Sequence, residues 1–286
     1  EITMECNPGT LNKVKLKAIK SLGINRLSMG LQVTQDHHLK YIGRIHTYEQ
    51  FEKNYKDAIE VGIDNINVDL MYSLPNQSFD EWKETLNKII NLNPSHISAY
   101  SLILEEGTKF YDMYLNKEFE LNDEEVDISI YNYTIDTLYK NGYHQYEISN
   151  YAKEGYECKH NIVYWKCDNY LGLGPGASGY INNYRYSNIC DIKEYNKCLE
   201  YNKKPIEEKN VLSKKDEMEE FIFMGLRMNE GINLDEFYEK FNVNFKHKYN
   251  NILDKLKNLN LIIEQNNNIA LTQRGRELSN TVFIEF

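Results

Sequence analysis

Four short apolar segments in the first hundred residues are separated by stretches of helical period, and this alternation narrows the fold more than any other feature. Ile2–Glu5, Arg26–Leu31, Ile66–Met71 and Ile97–Leu104 read as strands. Leu11–Leu22, a short segment Asp36–Ile42, Tyr48–Val61 and a segment from Ser78 through Ile90 read as helices. Thr10 and Ser78 are candidate N-caps, whereas Gly23 and Gly62 supply left-handed ends. Trp82, Leu86 and Ile89 fall on one helical face. Strands alternating with helices imply parallel βαβ units. Four strands cannot close a barrel, and Ile2–Glu5 would be a bare edge. Further units, roughly 30 residues each, are therefore expected ahead of Glu1, where the chain has neither a start methionine nor a signal-peptide layout. The expected fold class is α/β: a partial (βα) barrel, an α/β extension and a small C-terminal module.

The expected divisions are 1–106 for the barrel, 107–208 for the extension and 209–286 for the module, with Lys203-Lys204-Pro205 near the second boundary. Residues 107–141 read as helices and Gln145–Tyr151 as a strand. Cys158–Ile189 is rich in Gly, Tyr and Asn, which favours turns and short strands. Asp191–Tyr201 and Lys214–Met228 read as helices. The amphipathic segments Leu234–Phe241 and Phe245–Leu259, followed by a hairpin from Leu261–Glu264 to Ile269–Thr272 around a polar tip, resemble a winged helix.

A wing suggests nucleic acid, but a net charge of -10 and no basic stripe argue against it, and against anionic lipid. No uninterrupted apolar run reaches membrane-spanning length. The five cysteines are odd in number and form no Cys-x-x-Cys, so reduced thiols and a cytoplasmic setting are expected.

Chemistry in a parallel barrel gathers at the C-terminal ends of its strands. Glu5, Gln32 and Asp69 fall at or beside such ends, and Arg44 follows within Ile42-Gly43-Arg44-Ile45-His46. A carboxylate can hold ribose hydroxyls, a glutamine can orient a polar ligand, and an arginine can clamp a carboxylate. Together they suit a nucleoside carrying an amino-acid tail; an internal Glu5–Arg44 salt bridge is the plain alternative. Further on, His160-Asn161-Ile162-Val163-Tyr164-Trp165 combines an imidazole, a good axial ligand for heme iron, with two aromatic faces. A lone histidine near aromatics is more often structural. Gly172-x-Gly174-x-Gly176 is interrupted by Pro175 and opens no helix after a strand, so it reads as a packing turn and not a phosphate loop. Cys158 and Cys167 read as buried or plain reduced thiols, and His37-His38 as solvated.

Taken jointly, Glu5-Cys6-Asn7-Pro8, Gly30-Leu31-Gln32, Gly43-Arg44-Ile45-His46, Asn67-Val68-Asp69-Leu70 and Ser73-Leu74-Pro75 resemble radical S-adenosylmethionine proteins related to oxygen-independent coproporphyrinogen oxidase. The resemblance implies that Glu5, Gln32, Arg44 and Asp69 contact S-adenosylmethionine, with Ile103 of the fourth strand against the same ligand. His160-Asn161-Ile162-Val163-Tyr164-Trp165 is similar to the HNxxYW signature of the heme-chaperone branch, as are Tyr146–Tyr151 and Tyr170–Ala177. That branch implies heme binding by His160, Asn161, Tyr164 and Trp165, His160 as candidate iron ligand, and delivery of heme to acceptor proteins. Oxidative decarboxylation of coproporphyrinogen, as in the sister branch, stays open as the enzymatic alternative. The family's Cys-x-x-x-Cys-x-x-Cys loop does not occur in this sequence; a [4Fe–4S] cluster is expected of a longer chain only.

Overall fold

A computed structural model describes all 286 residues, which divide into two compact units, Glu1–Glu157 and Cys158–Phe286. In the first unit the elements are β1 (Thr3–Cys6), α1 (Lys13–Ser21), β2 (Arg26–Gln32), α2 (Asp36–Tyr41), α3 (Tyr48–Val61), β3 (Ile66–Tyr72), α4 (Phe79–Leu92), β4 (His96–Ser101), α5 (Lys109–Leu115), α6 (Glu124–Lys140), β5 (His144–Glu147) and β6 (Asn150–Ala152). They form a six-stranded sheet in the order β1-β2-β3-β4-β6-β5. The first four strands are parallel, as the alternation predicts, and β6 joins β4 antiparallel, with Ile97 opposite Tyr151.

The period of two divides the sheet into an apolar and a polar face. Leu27, Met29, Leu31, Ile66, Val68, Leu70, Ile97 and Ala99 are buried in one core with Leu16 of α1, Phe51, Tyr55 and Ala58 of α3, and Trp82, Leu86 and Ile89 of α4. The alternate positions carry Ser28, Gln32, Asn67, Asp69, His96 and Ser98.

Local chemistry fixes where the helices begin and end. Thr47 with Gln50, and Ser78 with Glu81, form capping boxes at α3 and α4. Gly62 (φ 86°) and Asn93 (φ 59°) end them in the left-handed region. At α1 the cap is Asn12, whose side chain accepts from Lys15 N; Thr10 instead donates to the carbonyl of Asn7 at 2.6 Å.

Gln145–Tyr151 is not one strand but the hairpin β5–β6, turned at Ile148-Ser149. Tyr143 and Tyr151 are buried in the core of the first unit. The hairpin therefore binds the first part of the expected extension to the sheet, within the compact unit that ends at Glu157.

The second unit contains α7 (Lys159–Trp165), β7 (Ser178–Ile181), β8 (Tyr184–Asn188), α8 (Ile192–Glu200), β9 (Ile206–Val211), α9 (Lys214–Arg227), β10 (Ile232–Asn233), α10 (Leu234–Phe241), α11 (Phe245–Lys248), α12 (Asn250–Asn258), β11 (Ile262–Gln265), β12 (Asn268–Leu271), α13 (Gln273–Glu277) and α14 (Ser279–Phe283). Strands β7-β8-β9 form one antiparallel sheet and β10-β12-β11 another. The wing hairpin turns through Asn266 and Asn267, both at positive φ, the conformation a tight two-residue hairpin turn requires. Phe237, Phe241, Phe245 and Tyr249 form a run of ring contacts in this unit, with Phe237 edge-on to Phe245 at 4.9 Å. Helix α7 departs from the expectation of turns and short strands over Cys158–Ile189. Its β-branched and aromatic residues have low intrinsic helix propensity, and packing of α7 against α9 prevails over it. No helix is long and apolar enough to cross a membrane.

Trp82 is fully buried, donates from its indole Nε1 to Thr134 Oγ1 at 2.9 Å and lies 5.2 Å from the Tyr72 ring. Trp82→Ala is expected to destabilise the first unit by about 3–5 kcal/mol, read as a shift in the urea midpoint. A change under about 1 kcal/mol would contradict the packing described.

Candidate functional site

The polar face of the first sheet is organised around Asn67. Its Nδ2 donates to Ser28 Oγ at 2.9 Å and to Asp69 Oδ1 at 2.7 Å, while its Oδ1 accepts from Ser98 Oγ at 3.2 Å and lies 2.6 Å from His96 Nδ1. His96 Nε2 is 2.9 Å from the Tyr146 hydroxyl. Ser28 Oγ donates to Asp69 Oδ2 at 3.1 Å. Burial is the main influence on Asp69 and raises its carboxyl above the ordinary value, against the lowering effect of bonds from Asn67, Ser98 and Ser28. His96, with no exposed surface, is held well below the ordinary imidazole value, first by burial and then by Arg26. It is a neutral, structural imidazole at neutral pH.

Beyond this buried network lie the expected ligand residues. Glu5 is exposed on β1, opposite Ser28. Gln32 ends β2 at φ 78°, next to a register irregularity, and its Oε1 accepts from the Tyr100 hydroxyl at 3.1 Å. A left-handed glutamine costs about 1–3 kcal/mol and persists only where its surroundings hold it; the Tyr100 bond is one such restraint. Arg44 Nη1 donates to Asn7 Oδ1 at 2.9 Å, and no ion pair joins it to Glu5. Gly30 marks where these groups converge: a Cβ there would meet Gln32 Nε2 at 3.2 Å, and Arg44 Nη2 and Asn7 Oδ1 at 3.9 Å each.

Tyr100, which the sequence reading passed over, joins the set. Its phenol is pushed up to about 12, first by burial and then by Asp69; Arg44 and Gln32 act to lower it and Glu5 to raise it. All four expected ligand residues thus bear on one hydroxyl. The available signal was positional, since Tyr100 lies two residues past Ser98 on the polar side of β4. Ile103 is exposed and lies beyond the end of β4, two residues past Ser101, so the strand expected to carry it stops short.

In the second unit, His160 and Tyr164 occupy one face of α7. The Tyr164 hydroxyl is 2.8 Å from His160 Nε2 and the rings stand edge-on at 4.8 Å. His160 is exposed; Tyr164 is partly buried and 4.6 Å from the Tyr170 ring. Burial, followed by Tyr170 and Cys158, raises the Tyr164 phenol, which stays protonated at neutral pH. Asn161 and Trp165 lie on the same helix. Trp165 does not share the His160 face: its ring lies under the Arg227 guanidinium at 4.5 Å, beside Phe221, Gly225 and Met228. Spacing explains this, because residues four apart share a face and residue 165 is turned about 100° from residue 164.

The glycine-rich turn is a packing device. A Cβ on Gly172 would lie 2.3 Å from the Ser178 carbonyl oxygen, Gly172 N donates to the Tyr186 hydroxyl at 2.9 Å, and Gly174 N donates to the Tyr195 hydroxyl at 3.1 Å. Amides used in this way cannot cradle a phosphate. Leu171 and Leu173 flank the turn, exposed, at the rim of an apolar, tyrosine-lined cavity of about 240 Å³.

Residues 1–89 match the radical SAM superfamily and residues 212–278 the HemN C-terminal domain. The chain is 38% identical to the heme chaperone HemW of Lactococcus lactis subsp. lactis over 100% of its own length and 75% of the relative's. It belongs to the heme chaperone HemW family. The HemW of Bacillus subtilis is 35% identical over 100% of this chain and 76% of its own. Coproporphyrinogen III oxidase (HemN) from Escherichia coli superposes with a TM-score of 0.80 at 20% identity, covering 100% of this chain and 69% of that one, and so shares the fold.

Radical SAM proteins of the HemW family imply a [4Fe–4S] cluster, which the cysteines of this chain do not fit. Cys6 lies in the first unit, with its thiol raised to about 11 by burial and then by Glu5; Cys158, Cys167, Cys190 and Cys198 lie in the second. A thiol so raised is a poor source of thiolate.

His96 supplies a pH test. Its folded-state value is lowered, so the unfolded chain binds a proton first as pH falls. Stability contributed by neutral His96 is complete above the ordinary value of 6.5 and is lost below it. Buried His38 and His46 act in the same direction. Between pH 6.5 and 5 the stability slope is expected to fall by up to about 1.4 kcal/mol per pH unit in His96→Gln. An unchanged slope in urea titrations across that window would refute the assignment.

Proposed function

We propose that this chain, like the HemW proteins it resembles, binds heme as cargo and passes it to acceptor proteins. The observation that carries the reading is the exposed His160 imidazole with the Tyr164 hydroxyl on its Nε2. An imidazole is a good axial ligand for heme iron. With His160 in the Nδ1–H tautomer, the Tyr164 phenol donates to Nε2 and competes with iron for the same lone pair. A ligand that already has a partner holds iron reversibly, and transfer requires reversibility. Exposed Leu171 and Leu173, beyond Tyr170, offer apolar surface to a porphyrin face. Asn161 is a polar neighbour on the same helix, and Trp165 supports α7 from its other side through Arg227.

The polar face of the first sheet is the binding site we assign to S-adenosylmethionine. Glu5 would take the ribose hydroxyls, Arg44 the methionine carboxylate, Gln32 and Asp69 the remaining polar groups, and Ile103 an apolar part of the ligand. Convergence of the Gln32, Arg44 and Asn7 polar groups beside Gly30 supports a small polar ligand there. The residues named here would orient the ligand.

Two experiments test these assignments. In a heme titration followed by absorbance, the chain is expected to shift the Soret band and His160→Ala to lose the shift. Tyr164→Phe is expected to tighten binding about 5-fold, the equivalent of one net hydrogen bond of about 1 kcal/mol. Retention of the full shift by folded His160→Ala would overturn the ligand assignment. For the first unit, calorimetric titration with S-adenosylmethionine is expected to lose at least about 10-fold in affinity on Arg44→Ala, since one charge-assisted pair contributes about 1.5–3 kcal/mol. Equal affinities would remove Arg44 from the site.

A further inference from the structure

A second cluster of ligating groups stands apart from both assigned sites. His37 and His38 lie in the first turn of α2, and Glu81 lies in the first turn of α4. His37 Nε2 is 3.2 Å from Glu81 Oε1, and His38 Nε2 is 3.4 Å from Glu81 Oε2. The two rings are 4.1 Å apart, and one ligating atom from each of the three residues lies within 4.8 Å of the others. Adjacent helical residues normally point about 100° apart, so two neighbouring imidazoles meeting one carboxylate are an unusual arrangement.

A second observation points to a ligand. His38, expected in solvent, is only 2% exposed, and its buried Nε2 makes no hydrogen bond of ordinary geometry despite facing Glu81. A buried polar nitrogen left in this state costs about 1–3 kcal/mol. Burial is the leading influence on the His38 imidazole and lowers it, which favours the neutral form that ligates metals. The Glu81 carboxyl is lowered overall, although burial, its largest single influence, raises it; the Ser78 backbone and hydroxyl outweigh that, and the nearby His38 imidazole acts in the same direction.

We propose that His37, His38 and Glu81 bind one divalent transition-metal ion of the zinc class. A tetrahedral ion with bonds of about 2.0–2.1 Å has ligand atoms about 3.3 Å apart; the imidazole nitrogens lie 3.2 and 3.4 Å from different oxygens of Glu81, and one ligating atom from each residue falls within 4.8 Å of the others, so small side-chain shifts would close the three groups on one ion. Two imidazoles and a carboxylate suit zinc, with a fourth position left to water. The second layer is in place: Ser78 donates to Glu81 Oε2 from its backbone N at 2.8 Å and from its hydroxyl at 2.9 Å, fixing the carboxylate. Two helix N-termini carry partial positive charge and oppose a cation; Asp36, Asp80 and Glu81 in those same turns offset it. The ion would tie the segment after β2 to the segment after β3. The first of these runs on through α2 to Arg44, so the metal would brace a binding loop and not perform chemistry.

The test is competition between the full chain, stripped of metal by chelation, and a chromophoric zinc chelator. The wild-type chain is expected to take up one equivalent of Zn²⁺ at neutral pH. His37→Ala, at an exposed position, and Glu81→Gln, which keeps a capping acceptor at α4, are each expected to weaken binding at least 10-fold. His160→Ala is expected to leave it unchanged, which separates this site from the imidazole assigned to heme. Zn²⁺ should raise the thermal midpoint of the wild-type chain and not that of His37→Ala, whose metal-free midpoint shows whether it is folded. Absence of stoichiometric uptake by the wild-type chain, or equal affinities in wild type, His37→Ala and Glu81→Gln, overturns the proposal.

Discussion

The Asn67 carboxamide ties together three neighbouring strands of the first sheet, and the site above it depends on that bond set. Its two ends reach Ser28 on β2, Asp69 on its own strand, and His96 and Ser98 on β4. Such a network is stable only when nearly every member is satisfied, because an orphaned buried polar group costs more than a paired one gains. It therefore fixes strand register, since a slip of one residue would carry these groups into the apolar core. Register in turn sets where Gln32, Tyr100 and Asp69 emerge. Asp69 belongs to both layers, with its carboxylate held by the network at the edge of the site proposed for S-adenosylmethionine.

The two units handle polar chemistry differently. In the first, acceptors and donors are locked before any ligand arrives, which is the preorganisation that a small polar ligand rewards. In the second, the chemically important pair is a surface pair, one imidazole and one phenol on a seven-residue helix. That helix is anchored from its far side by the stack of Arg227 on Trp165. Deeper in the unit, Glu220 of α9 holds Arg185 of β8 through three contacts of 2.5–3.1 Å. Rigid support beneath an accessible group suits cargo that must be accepted and released.

Much of the first unit can be read from residue order, because each βα segment carries its own period, caps and glycine stop. Tyr48–Val61 has the bounds its period and Gly62 predict, and the structure adds a Thr47–Gln50 capping box at its start. What residue order does not carry is partner choice at a distance. Tyr151 reads as one more strand residue; nothing local says that it lies opposite Ile97. Helix α7 was missed for a related reason, since its apolar residues gain helical form from contact with α9. In the site, residues with distinctive charge were legible, whereas Tyr100 looked like any strand aromatic. His37 and His38 looked equivalent in sequence, and only packing separates the buried ring from the exposed one.

The order of the parallel strands has a consequence for how the chain is made. β2, β3 and β4 each pair with the strand just before them in the chain. A chain emerging from the ribosome can thus complete every parallel pairing with material already synthesised, at low loop-closure cost. The rule breaks once. The far side of β4 waits for β6, which arrives only after α5, α6 and β5 have been translated. For the time taken to add about 50 residues, at roughly 5–20 residues per second, a nearly finished sheet presents an unpaired edge. During that interval β4 is open to pairing with a neighbour on the same polysome.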